Sequence, residues 1–277
     1  LETDIGINRN WVDPGIPFAA MVAQLAHGLL VTSATLTDGA ADPEGAWRSA
    51  EAGTGLRHLP ASPAAARIAS PFDYRIQTRI FIVTDIPRDD VGQVAAAYAS
   101  LFAAARGGAL GLFTAIARLR AVHERIAAAL AARGILLLAQ HVDAMSTATL
   151  VDIFRAEEDS CLLGTDAVRD GVDIPGRSLR LLVFDRVPWP RPDILYRARR
   201  RVFGGGEYAD RIARLRLRQA YGRLIRRVGD RGVFVVLDRT VPSRLLSAFP
   251  EGVAVARVPL AQAAEATARF LHTAEVA

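Results

Sequence analysis

The residues best suited to chemistry on a phosphate lie in one stretch, Gln219-Ala220-Tyr221-Gly222-Arg223-Leu224-Ile225-Arg226. On a helix, Gln219, Gly222, Arg223 and Arg226 fall at i, i+3, i+4 and i+7 and share one face. A glutamine, a glycine and two arginines make a poor packing stripe. They suit a phosphate chain: two planar cations grip oxygens, the amide fixes orientation, and the glycine permits close approach. The other reading is a solvated basic helix, since Arg211, Arg214, Arg216, Arg218 and Arg227 crowd the same segment. Trp189, set between Pro188 and Pro190, has two readings as well: an indole stacked on a base, or one packed on its own domain. Thr165-Asp166, after the apolar run Cys161–Leu163, reads on its own as a helix N-cap.

Other candidates carry less. Gly204-Gly205-Gly206 relieves strain at a turn between helices. Gly107-Gly108 precedes a strand instead of following one, the wrong place for a dinucleotide fingerprint. Glu157-Glu158-Asp159 reads as a solvated turn, and neither a Ser/His/Asp nor a Cys/His arrangement can be defended.

Composition excludes several classes outright. All 34 basic side chains are arginine, so the chain has no lysine for a phosphate-binding loop of the GKT/GKS type. Cys161 is the only cysteine, which rules out a disulfide framework, a cysteine-ligated zinc site or an iron–sulfur cluster within these residues. His27, His58, His123, His141 and His272 are scattered without ligand spacing, and no structural metal is expected. The net charge of +5 suits a polyanionic partner, although an excess of that size is common on ordinary proteins. With 51% hydrophobic and 23% charged residues, the 277-residue chain can bury a sizeable core. No apolar run reaches membrane-spanning length, and Glu2 and Asp4 do not suit a signal peptide, so a cytoplasmic protein is expected. A first residue of Leu1 instead of Met points to an excised fragment.

The elements that must position these residues alternate in type. Strands are expected at Leu29–Thr32, Ile80–Val83, Leu110–Phe113, Ile135–Leu138, Cys161–Leu163, Leu181–Phe184 and Val233–Leu237. Helices are expected at Val91–Ala105, Ala115–Ala132, Met145–Arg155, Asp193–Val202, Tyr208–Val228 and Ala261–His272. Short, continuously apolar strands separated by helices predict a mainly parallel sheet covered on both faces, a three-layer α/β domain. Residues 37–70 are rich in Gly, Ala, Pro and Ser and read as a linker or surface excursion. Residues 1–36 would then close a preceding domain and 71–277 form the main one; a single domain with a long loop is the alternative.

Gln219–Arg226 resembles motif VI (QxxGRxxR) of superfamily-two helicases, and further motifs follow in that family's order. Leu163-Gly164-Thr165-Asp166 leading to Gly171-Val172-Asp173-Ile174-Pro175-Gly176 resembles motif V, and Thr32-Ser33-Ala34-Thr35-Leu36 resembles motif III. Ser70-Pro71-Phe72-Asp73-Tyr74, Leu112-Phe113-Thr114 and Arg186-Val187-Pro188-Trp189-Pro190-Arg191-Pro192 narrow the resemblance to the DinG/XPD-like DNA helicases. Asp230-Arg231-Gly232 and Leu237-Asp238-Arg239 resemble the strand that leaves motif VI there. The likeness covers most of residues 27–240. It departs at Arg169 and Asp170, where the family carries an aromatic and a glutamate, and at Ala115-Ile116, where a polar-aromatic pair is usual.

The resemblance implies a RecA-like second motor lobe, lacking its own P-loop and preceded by the last strand of the first lobe. ATP with Mg2+ would be held mainly by an N-terminal half of the same polypeptide. This chain would add Arg226 as the finger-like contact to the γ-phosphate, with Arg223 and Gln219 beside it. Gly222, Asp173 and Gly171 would line the ATP cleft. Thr165 would meet single-stranded or forked DNA, where Trp189, if its indole stacks on a base, would join it, and Ser33 and Thr35 would couple nucleotide state to strand movement. The family's iron–sulfur cluster, where present, belongs to the other lobe, and the isolated fragment is expected to be inactive. A non-catalytic nucleic-acid-binding or partner-docking module on the same fold is the rival reading.

Overall fold

A computed structural model describes residues 9–39, 42–166, 168, 174 and 176–273. They group into two compact units, one of residues 1–68 with 189–215, the other of 69–188 with 216–277. The expected boundary near residue 70 coincides with one division, but residues 189–215 group with the first unit.

The second unit is built on a sheet whose strands are apolar along their whole length. These are β1 (Thr78–Val83), β2 (Ala109–Leu112), β3 (Leu137–Ala139), β4 (Cys161–Gly164), β5 (Leu181–Phe184), β6 (Gly232–Val236) and β7 (Val255–Val258). Their order is β3-β4-β2-β5-β6-β1-β7 and every pairing is parallel. Side chains alternate between the faces, as the strand period of two requires. Phe81, Val83, Leu163, Val183 and Val235 enter one core with Val94, Tyr98, Leu101 and Phe102 of helix Val91–Ala105 and with Leu119, Val122 and Ile126 of helix Ile116–Ala131. On the other face the Phe234 ring meets Phe184, Tyr221 and Phe249 at centroid distances of 5.6, 6.1 and 5.2 Å. The three-layer α/β architecture with a parallel sheet is thus realised.

Local chemistry starts and stops the elements. Asp90 accepts from the Gln93 amide at 3.0 Å and Ser146 from the Thr149 amide at 3.1 Å, each satisfying an orphan donor of the helix it opens. The Gly107-Gly108 pair makes the sharp turn into β2. At Gly107, φ is +85°, and a Cβ there would lie 1.9 Å from the Asp159 carbonyl oxygen, so no other residue fits.

Three expectations need correction. Leu29–Thr32 belongs to no strand; Leu30 is 87% exposed, so its apolar run is not a core strand. Part of the expected linker is helix Pro43–Thr54, opened by Asp42, which accepts from the Glu44 and Gly45 amides at 3.1 and 2.9 Å. Composition hid it, although Asp-Pro-Glu is a helix-start signature. The helix expected at Tyr208–Val228 runs Gly206–Tyr221. Strand β7 was not anticipated, because an edge strand carrying Arg257 lacks the continuous apolar pattern.

In the first unit, helix Ile194–Val202 is opened by Asp193, which accepts from the Tyr196 amide at 2.6 Å. Arg214, in the helix Gly206–Tyr221, meets the buried Asp38 through Nε at 3.0 Å and Nη2 at 2.5 Å, and Nη2 also lies 2.6 Å from Glu207. Among the described residues, no helix is long and apolar enough to cross a membrane.

Candidate functional site

Tyr221 anchors the segment expected to carry the chemistry. Its hydroxyl lies 2.6 Å from the Thr78 hydroxyl at the start of β1, and its ring packs against Tyr74, Phe234 and Phe249. Burial pushes its phenol well above the ordinary tyrosine range, so it stays neutral. The helix ends at this residue. Two tight turns follow, closed by the Arg223 amide on the Ala220 carbonyl at 3.1 Å and the Leu224 amide on the Tyr221 carbonyl at 3.0 Å. Leu224 and Ile225, adjacent in sequence, are both buried at 2% and 3% exposure, and Leu224 fills the space left by Gly232, where a Cβ would meet it at 2.8 Å.

Gln219, Gly222, Arg223 and Arg226 therefore do not share one helical face. Gln219 sits exposed on the last helical turn, Gly222 follows exposed, Arg223 is half-buried in the turn, and Arg226 is exposed beyond it. The loop that carries Arg226 is pinned from both sides of its backbone. Asp230 Oδ2 accepts from the Arg226 and Arg227 amides at 2.8 and 2.7 Å. The buried Gln77 amide nitrogen donates to the carbonyls of Arg227, Val228 and Asp230 at 3.3, 2.8 and 3.1 Å. A fixed backbone presenting exposed arginine stems needs little reorganisation to meet an anion.

Gly222 requires no glycine for internal reasons. A Cβ there would meet only the Arg218 and Gln219 carbonyls, at 3.4 and 3.7 Å, and its φ lies outside the left-handed region.

The carboxyl ends of the parallel strands carry a row of polar residues, the usual place for ligands on an open α/β sheet. At the end of β4, Thr165 donates its amide (3.0 Å) and its hydroxyl (2.9 Å) to the buried Gln140 Oε1, and Gln140 Nε2 donates to Thr147 Oγ1 at 3.0 Å. Asp166 is exposed and lies 3.9 Å from Arg216. After β5, Asp185 is fully buried and accepts from the Thr114 amide at 3.2 Å and Arg118 Nε at 2.9 Å. Burial pushes its carboxyl above the usual range, against the pull of Arg118. After β6, Asp238 accepts from the Thr240 amide at 3.0 Å and hydroxyl at 2.5 Å.

Of the remaining expected residues, Ser33 and Thr35 form a local exposed turn, the Thr35 amide donating to Ser33 Oγ at 3.1 Å. Trp189 is 38% exposed. Asp173 and Gly171 lie outside the described residues. Asp159, expected in a solvated turn, pairs with the buried Arg180 at 2.6 Å.

Sequence reasoning missed Gln77 and Gln140. Gln140 stands where an apolar run ends in a polar residue at a sheet edge, a signal that was available. Gln77 follows no pattern and is visible only through its contacts.

Comparison with known proteins gives the family of the chain. The family model described as "Helicase C-terminal domain" matches residues 98–256. The ATP-dependent helicase DinG of Mycobacterium tuberculosis is 39% identical over 183 residues, covering 62% of this chain and 27% of the relative. A 3'-5' exonuclease DinG of Bacillus subtilis is 31% identical over 251 residues, 86% of this chain and 26% of the relative. The ATP-dependent DNA helicase YoaA of Escherichia coli is 30% identical over 188 residues, 64% and 29% respectively. The chain thus spans about a quarter of the length of the curated relatives it matches. It belongs to the helicase C-terminal domain family.

Proposed function

We propose that this chain is the C-terminal motor portion of an ATP-dependent DNA helicase, supplying arginines to ATP hydrolysis and part of the single-stranded DNA track. Arg226 contacts the γ-phosphate and stabilises charge spreading onto its oxygens, with Arg223 and Gln219 beside it. Gly222, Asp173 and Gly171 line the nucleotide cleft. An N-terminal half of the same polypeptide supplies the P-loop lysine and holds most of the ATP and Mg2+. Residues 1–36 close the first lobe, 37–70 connect, and 71–277 belong to the second lobe, of which 189–215 group with residues 1–68. On its own the chain turns over no ATP.

The observation that carries this reading is the pinned arginine loop. Asp230 holds the Arg226 and Arg227 amides and Gln77 holds the carbonyls that follow, while the Arg226 side chain remains exposed. Gly222 adds to it, because nothing inside the fold demands a glycine there, and close approach by an external group does.

On the DNA side, Thr165 and Trp189 contact the strand, and Ser33 and Thr35 couple nucleotide state to its movement. The Thr165 hydroxyl already gives its proton to Gln140, so meeting a phosphate oxygen as a donor requires exchanging that partner. The test is ATP turnover by the full-length protein with and without single-stranded DNA. Stimulation supports the motor; tight, salt-sensitive DNA binding without any turnover favours a non-catalytic binding module.

A further inference from the structure

Helix Ile194–Val202 reads Ile-Leu-Tyr-Arg-Ala-Arg-Arg-Arg-Val, four arginines without an acid, and none of its residues is buried. Its two sides differ. Arg199 reaches back, donating through Nε to the Val12 carbonyl at 3.1 Å and through Nη2 to the Trp11 carbonyl at 3.3 Å. Tyr196 stacks on Tyr208 with centroids 6.0 Å apart, and Tyr208 stacks in turn on Phe203 at 5.6 Å. These contacts hold the helix down. Arg197, Arg200 and Arg201, at i, i+3 and i+4, share the opposite side and are all exposed. Arg197 and Arg200 each spend Nε on a backbone carbonyl, of Pro192 at 3.1 Å and Gly205 at 3.3 Å, which fixes their stems. Among the described residues, Arg191, Arg197, Arg200 and Arg201 take part in no ion pair.

A solvated basic face normally carries interspersed acids, which lower its self-repulsion. Here three like charges sit within about 6 Å along the helix axis, and the like-charge cost is left uncompensated. Such a face is complementary to a dense line of anions. Duplex DNA presents one negative charge per about 1.7 Å of its axis. The face also lacks a stacking platform, since the helix's one aromatic, Tyr196, is turned onto Tyr208. Single-strand tracks rely on such platforms, whereas a duplex backbone is gripped through its phosphates alone.

We propose that Arg197, Arg200 and Arg201 form a sequence-independent docking face for the phosphate backbone of duplex DNA. The inference rests on the motor reading above and adds a second kind of nucleic-acid contact to it. Arginine suits the role because its fork meets phosphate oxygens in a bidentate geometry and it is never neutral.

The test compares the full-length protein with its Arg197→Ala/Arg200→Ala/Arg201→Ala variant. Binding to a labelled blunt duplex and to a single strand of the same length is followed by fluorescence anisotropy over a salt series. The duplex Kd should rise at least tenfold near physiological salt, and the slope of log K against log salt should shrink by about 3, since each lost phosphate contact removes about 0.9. Single-strand affinity should change far less. The Arg→Lys triple variant should keep most of the slope, and an unchanged thermal midpoint in both variants would show the fold intact. Unchanged duplex affinity and slope would overturn the proposal and leave an acidic protein surface as the occupant. Equal losses on duplex and single strand would overturn it too. DNA-stimulated ATP turnover in the wild type separates the failures: with stimulation present and duplex binding unaltered, only the docking face falls. With no stimulation, the motor reading falls and the docking face with it.

Discussion

The amide nitrogen of Gln77, buried just before the first strand of the sheet, lies 2.8 Å from the carbonyl oxygen of Val228, two residues past Arg226. The same nitrogen reaches the Arg227 and Asp230 carbonyls, so one side chain ties the arginine loop to the sheet. Replacing Gln77 with Leu leaves these carbonyls without their donor, at a cost of roughly 1–3 kcal/mol. ATP turnover of the full-length protein should fall about tenfold to a hundredfold, since small misplacements of a catalytic group are expensive. Turnover equal to wild type in a folded Gln77→Leu variant would show that the loop's position is held by other contacts.

Gly222 separates a packing role from a ligand role. Alanine fits its space and its φ, so Gly222→Ala should leave the unfolding midpoint unchanged or raise it slightly. If an external phosphate chain approaches there, the added methyl should raise KM for ATP or lower kcat by about tenfold or more, an interaction worth roughly 1.4 kcal/mol. Steady-state ATP kinetics beside a thermal melt settle it; a stable variant with wild-type kinetics removes Gly222 from the cleft.

Arg180 serves the fold. Its buried guanidinium donates to the carbonyls of Ala105, Arg106 and Arg177 at 3.0, 2.7 and 2.8 Å, joining the turns at the amino ends of the second and fifth strands. Arg180→Leu should cost about 3 kcal/mol in urea unfolding, because several buried acceptors lose their donor together. A loss below about 0.5 kcal/mol, typical of a surface change, would contradict that role.

Asp159 gives this clamp a pH dependence. Its hydrogen bond from Arg180 holds the carboxyl below the ordinary carboxylate range, so the native state binds a proton less readily than the unfolded chain. The stabilisation is therefore present above the unfolded value, about 3.9, and is lost as pH falls through the lower folded value. Between pH 5 and pH 2, wild type should lose more stability than Asp159→Asn, read from urea midpoints at each pH. Parallel curves would mean that the pair contributes nothing.

Strand and helix identity in the sheet-bearing unit was legible because buried parallel strands are apolar throughout. Leu181–Phe184 and Val91–Ala105 were located to the residue. The pattern misled where burial did not follow hydrophobicity, as at Leu30, and where composition masked a capped helix, as at Asp42-Pro43-Glu44. The motif around Gly222 was legible as residue types, but its geometry was not. Helical spacing implied a shared face, whereas the helix ends at Tyr221 and Arg226 lies in the loop beyond it. Gln77 was invisible for the same reason, since a long-range hydrogen bond leaves no periodic trace in a sequence.

The most direct test of the motor assignment is ATP turnover by the full-length protein, with and without single-stranded DNA, beside its Arg226→Ala variant. The account predicts DNA-stimulated turnover in the wild type and a loss of roughly a thousandfold or more in the variant, the usual worth of an arginine at a γ-phosphate. Turnover in a folded Arg226→Ala protein equal to wild type would contradict it.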